Sequence, residues 1–116
     1  MASAPTWEDL VEERLHELRV KIRDLADASA LRYQLDNARK SVLAVAMKTA
    51  ETRGAKTAAQ QERDAYASDE YATWLRGSTE AVRRHEQLRL EHDLVKLRVE
   101  VWRTREASKR AEMTMR

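Results

Sequence analysis

The chain has 116 residues, 42% hydrophobic and 36% charged, with a net charge of +2, two Gly, one Pro, no Phe and no Cys. The absence of Cys excludes disulfides, thiolate metal sites and cysteine nucleophiles, and no apolar run approaches the roughly 18 residues that span a bilayer. Much of the apolar share is Ala, which closes a compact core poorly, whereas so few backbone breakers suit long helices whose missing core is supplied by further copies of the chain.

Thr6 is a favourable N-cap, with Asp9 three residues on and Glu8, Glu12 and Glu13 near the positive end of the helix dipole. From there Leu15, Leu18, Ile22 and Leu25 follow 3- and 4-residue steps, resumed by Leu31, Leu35, Ala38, Val42, Val45 and Thr49. Between Leu25 and Leu31 the apolar stripe slips in phase across Ala28 and Ser29, so a local rotation of the buried face is expected. No Gly or Pro interrupts this stretch, and a single helix is predicted over 7–52. Gly54, after Arg53, is the first terminator. Residues 53–68 read as a polar connector with a short helix. Ser68, followed by Asp69 and Glu70, then starts a second long helix over 69–112. Its heptad stripe runs Tyr71, Trp74, Ser78, Ala81, His85, Leu88, His92, Val95, Val99 and Trp102, staying in phase through Gly77. The expected fold is all-α, a single helical domain over 1–116. It is an antiparallel hairpin of two long helices with a short helical connector, oligomerising through coiled-coil-like packing.

The second helix carries a further stripe, Leu90, Leu94, Leu97 and Val101, with 4-3-4 spacing. Relative to the first stripe these residues fall on the far side of the helix cylinder. One face can pack on the first helix, and the other needs a second partner. A three-helix monomer with the connector over this face is the alternative. The connector offers mainly Ala, Gln and charged side chains, so a homo-oligomer interface is the expectation.

Constellations for catalysis are weak. Glu13 and His16 form one Glu-x-x-His pair, but neither His85 nor His92 has a Glu three residues before it, so a di-metal bundle site is incomplete. His85 and His92 lie seven residues apart on one seam and read as packing or register-setting groups. Two Gly leave no material for a phosphate-cradling loop, and no Ser sits in a strand-to-helix turn. No enzyme, metal or cofactor is expected. The N-terminal Met1 to Asp9 lacks the basic region and apolar core of a signal peptide, which points to the cytoplasm.

Charge is distributed unevenly. Residues 1–35, 36–63, 64–82 and 83–116 carry balances of −2, +3, −3 and +4. Basic residues cluster as Arg39, Lys40, Lys48, Arg53, Lys56 and Arg63, and again as Arg98, Arg103, Arg105, Lys109, Arg110 and Arg116 around Trp102. In one chain such residues solvate helix surfaces. Repeated around an oligomer they form a surface that tracks a phosphate backbone, with Arg and Trp able to stack on unpaired bases. The nucleic-acid-binding candidates are therefore Arg39, Lys40, Lys48, Arg53, Lys56, Arg63, Trp102, Arg103, Arg105, Lys109 and Arg110. No groove-reading motif is present.

The run from Trp102 through Arg103, Thr104, Arg105, Glu106, Ala107, Ser108, Lys109, Arg110, Ala111 and Glu112 to Met113, together with Ala65 to Tyr71, is similar to small helical phage proteins of recombination and replication modules. Over its second half the chain resembles recombination mediators of the UvsY type. That resemblance implies an oligomer that binds single-stranded DNA in the bacterial host cytoplasm and helps load a phage recombinase or annealing protein. The rival expectation is a protein–protein adaptor, scaffold or phage inhibitor of a host system that uses the same stripes without DNA.

Overall fold

A computed structural model describes residues 3–115 of the chain; Arg116 lies outside the described residues. Three helices and no strand occur among them: α1 over Trp7–Thr52, α2 over Ala58–Tyr66 and α3 over Asp69–Met115. Two are long and the third is a short connector, the elements of a helical hairpin. α3 continues to Met115, past the expected end at 112, because no Gly or Pro stops it.

The helix ends follow from local chemistry. At the start of α1, Thr6 and Asp9 cap each other: the Asp9 N–H donates to Thr6 Oγ1 at 3.1 Å, and the Thr6 N–H donates to Asp9 Oδ2 at 3.0 Å. At its end, Gly54 adopts φ +112°, a left-handed conformation that Cβ disfavours. The Ala55 N–H then reaches back to the Ala50 carbonyl at 3.0 Å and the Gly54 N–H to Glu51 at 3.1 Å. This is a Schellman ending, with Ala50 and Ala55 both buried beside it. Thr57 caps α2 by accepting the Gln60 N–H, and Ser68 caps α3 by accepting the Tyr71 N–H at 3.2 Å while donating to the Ala65 carbonyl at 2.6 Å.

Packing divides the chain into two compact units. The first joins the described residues up to Ala26 with those from Gln87 onward, so it holds the start of α1 and the whole second half of α3. There the two helices run antiparallel: Trp7 meets Trp102 with ring centroids 5.6 Å apart, Glu17 pairs with Arg98 at 3.8 Å, and Lys21 Nζ donates to Glu91 at 2.9 Å. Leu88 and Val95 are buried between them.

The second unit, Asp27–Glu86, contains the rest of α1, all of α2 and the start of α3. Its buried side chains are all Ala: Ala28, Ala46, Ala50, Ala55, Ala65 and Ala81. Such small side chains let helix backbones approach closely, so a tight core forms without large residues. Trp74 spans this unit by donating its indole N–H to the Leu35 carbonyl at 2.8 Å.

Burial along α3 follows the heptad stripe, every position from Tyr71 to Trp102 being buried or half-buried. Along α1 the expected phase slip is absent. The covered positions include Leu18, Lys21, Leu25, Ala28, Arg32, Leu35, Ala38, Val42 and Ala46, in unbroken 3- and 4-residue steps, while Ile22 and Leu31 are about half exposed. The slip arose from counting apolar residues alone. Two seam positions are filled by long cations whose methylene stems pack while their heads find partners: Lys21 on Glu91, and Arg32, whose Nη1 lies 3.2 Å from His85 Nδ1 and 3.7 Å from Glu86.

Candidate functional site

The two basic clusters fall in different units. Trp102, Arg103, Arg105, Lys109 and Arg110 belong to the first; Arg39, Lys40, Lys48, Arg53, Lys56 and Arg63 belong to the second.

In the first unit, Trp102 is half-buried at the end of the α3 seam, where Trp7 packs against it with ring planes tilted by 30°. The pair stands in an open cleft of about 790 Å³. Its apolar lining includes Val11, Leu15, Leu18 and Val99, and its charged lining combines Arg14, Arg103 and Arg110 with Glu100 and Glu106. Trp7 remains 51% exposed beside three guanidinium and two carboxylate groups. A planar, weakly hydrated group can stack there while the arginines neutralise an attached anion. The α3 register adds a row: Arg89, Lys96, Arg103 and Arg110 recur every seven residues along one flank of the seam, all exposed. Seven residues rise about 10.5 Å, so the row lines up positive charge along the helix. Sequence reasoning named only Arg103 and Arg110 of this row. It also missed Trp7 and Arg14, which lie some 90 residues away in the chain and come together with Trp102 only through antiparallel pairing.

Carboxylates oppose this charge. Glu17 and Glu91 hold Arg98 and Lys21, and Lys109 pairs with Glu106 at 3.5 Å. The acidic start of α1 packs beside the basic second half of α3, so Arg98, one of the cations of residues 83–116, serves the fold.

The second unit shows the same pattern. Arg53 shares a cleft with Asp64, Asp69 and Glu70. Arg39 Nη2 lies 3.5 Å from the Tyr66 hydroxyl. Its guanidinium is pushed above the ordinary arginine value by hydrogen bonding to Tyr71 and then by the charges of the Tyr66 and Tyr71 phenols. Tyr66, Tyr71 and Trp74 form a continuous aromatic row, with centroids 5.1 and 5.5 Å apart. Lys40, Lys48, Lys56 and Arg63 are exposed.

The far stripe of α3 is in water in the single chain: Leu90, Leu94, Leu97 and Val101 are 62%, 48%, 55% and 44% exposed. The connector does not cover it, which removes the three-helix alternative. Among the described residues no three His, Asp or Glu side chains converge as a metal site, and no helix is long and apolar enough to cross a membrane. Glu13 and His16 are both exposed, while His85 and His92 are half-buried on the seam.

Comparison of the chain with protein-family models, curated proteins and solved structures gives no match.

Proposed function

We propose that this chain is a homo-oligomeric, non-enzymatic accessory protein that binds single-stranded DNA in phage recombination, organising the strand for a recombinase or annealing protein. The observation that carries the reading is the Trp7–Trp102 pair in an apolar cleft where Arg14, Arg103 and Arg110 outnumber Glu100 and Glu106. Stacking on an aromatic face tolerates any base, and arginines take the phosphates without reading sequence. The exposed stripe on α3 supports self-association, which multiplies a cleft that is weakly charged in one chain. The phage recombination setting rests on the resemblance read from the Trp102–Met113 run alone.

Tryptophan fluorescence titrated with an unlabelled single-stranded oligonucleotide tests this directly. Binding is expected to quench the signal and to weaken steeply between low and physiological salt. Trp102→Ala is expected to lower affinity by about tenfold or more, the loss of one stacked base being worth about 1–3 kcal/mol. No binding at low salt overturns the reading.

A second reading draws on a different observation. Because carboxylates hold Lys21, Arg98 and Lys109, and Arg53 faces an acidic cleft, the chain also suits a protein–protein adaptor, scaffold or inhibitor of a host system. That reading predicts self-association with no DNA binding at any ionic strength.

A further inference from the structure

The far face of α3 has charge on both sides of its apolar stripe, and the two sides differ. Leu94 and Val101 alternate with Leu90 and Leu97 in the 4-3-4 spacing of a helix–helix seam. Asp93 and Glu100 immediately precede Leu94 and Val101 and form one border. Arg98 and Arg105 form the other, and they line a shallow cleft with Leu97 and Val101. All four charged residues are exposed.

From this arrangement we infer that a second copy of the chain docks on this face, with its α3 parallel and in register with the first. The inference rests on the assembly half of the proposed function and deepens it by fixing the partner's direction. In a parallel in-register pair, the residue before each leading seam position faces the residue five further along the partner. Asp93 then meets Arg98 of the second copy, a guanidinium already 3.8 Å from Glu17 of its own chain, and Glu100 meets Arg105. Two-fold symmetry repeats both, giving four opposite-sign pairs. An antiparallel pair with Leu90 opposite Val101 sets Asp93 against Glu100, acid on acid, and keeps only Arg98 against Glu91 as an opposite-sign contact on the other border. The apolar stripe fits either direction, so charge selects the parallel one. One step earlier the same rule sets Glu86 opposite Glu91, yet each has a cation within its own chain, Arg32 at 3.7 Å and Lys21 at 2.9 Å. The seam is short, bounded by Gln87 and Thr104, so association depends on concentration. Parallel docking also brings both copies' Trp102 clefts to the same end of the dimer.

The chain has no Cys, so Leu90→Cys and Val101→Cys each introduce a single thiol. In a glutathione redox buffer, each full-length variant is expected to cross-link to itself. An equal mixture is expected to give few mixed 90–101 links. Preferential mixed links overturn the parallel direction and leave self-association standing. Light scattering on the unmodified chain and on Leu94→Lys completes the test. The unmodified chain is expected to dimerise and Leu94→Lys to be monomeric, with its dissociation constant raised by more than about tenfold and its helical circular dichroism unchanged. A Leu94→Lys protein that still dimerises overturns this surface but not assembly. An unmodified chain that stays monomeric at high concentration overturns both. DNA binding by that monomer, read by the same fluorescence titration, shows that only the assembly half has failed.

Discussion

The two units are built from the same two long helices yet solve the burial problem in opposite ways. In Asp27–Glu86 the core is alanine throughout, backed by a Schellman turn, two side-chain caps and the Trp74 bond to Leu35. Little apolar area is buried per residue, but close backbone approach and three helical segments compensate. In the other unit only two helices meet. Leu88 and Val95 are buried, whereas Leu15, Ile22, Leu90, Leu94 and Leu97 remain substantially in water. Three helical segments can close on small residues, while the two-helix unit leaves more of its large side chains in water, although Leu31, Val45 and Leu75 are exposed in the alanine unit too.

Core substitutions test this contrast most strongly. Leu88→Ala removes the most covered large side chain of the two-helix unit and is expected to cost about 2–5 kcal/mol in urea unfolding. Ala46→Leu does the reverse in the alanine unit, forcing a larger side chain into a position only 2% exposed, and is expected to cost about 1–3 kcal/mol. If Ala46→Leu is neutral or stabilising, the alanine unit is loosely packed and the contrast fails.

A smaller effect probes the closure of the alanine unit at its connector. Thr57→Ala leaves the Gln60 N–H without its capping oxygen and is expected to cost about 1 kcal/mol. Hydrogen exchange should show the loss confined to α2 and its flanks. Faster exchange at Trp102 instead would mean that the two units do not unfold separately.

The smallest effect concerns the opposite end of α1. Hydrogen bonds from the Thr6 backbone and then its side chain hold the Asp9 carboxyl below the usual aspartate value. A lowered folded-state value means that the cap stabilises above the ordinary aspartate range and is lost as pH falls through the lowered value. Amide exchange at Leu10 and Val11 should rise on acidification below that range, and Asp9→Asn should remove most of this pH dependence. An unchanged pH profile in Asp9→Asn would show that Asp9 does not control fraying here.

Much of this architecture was legible in the chain because the signals are local. Thr6, Gly54 and Ser68 mark helix ends through bonds to residues at most five positions away. The α3 seam shows because small, aromatic and histidine residues keep the heptad in phase. The α1 seam was misread at Lys21 and Arg32, where a cation's side chain does the packing that an apolar residue does elsewhere. The meaning of the charge blocks was hidden too: alternating balances along the chain look like binding surfaces until Lys21 finds Glu91 and Arg98 finds Glu17.

By itself, then, the sequence determined the helices, their ends, the α3 seam and the second apolar stripe, because capping and 3.6-residue periodicity act within a few residues of the chain. Only the tertiary structure decided that Trp7 and Arg14 join Trp102, that Tyr66 and Tyr71 engage Arg39, and which cations are held by carboxylates. Those pairings depend on the antiparallel register between α1 and α3, which is set by the fit of both seams together and is written in neither helix alone.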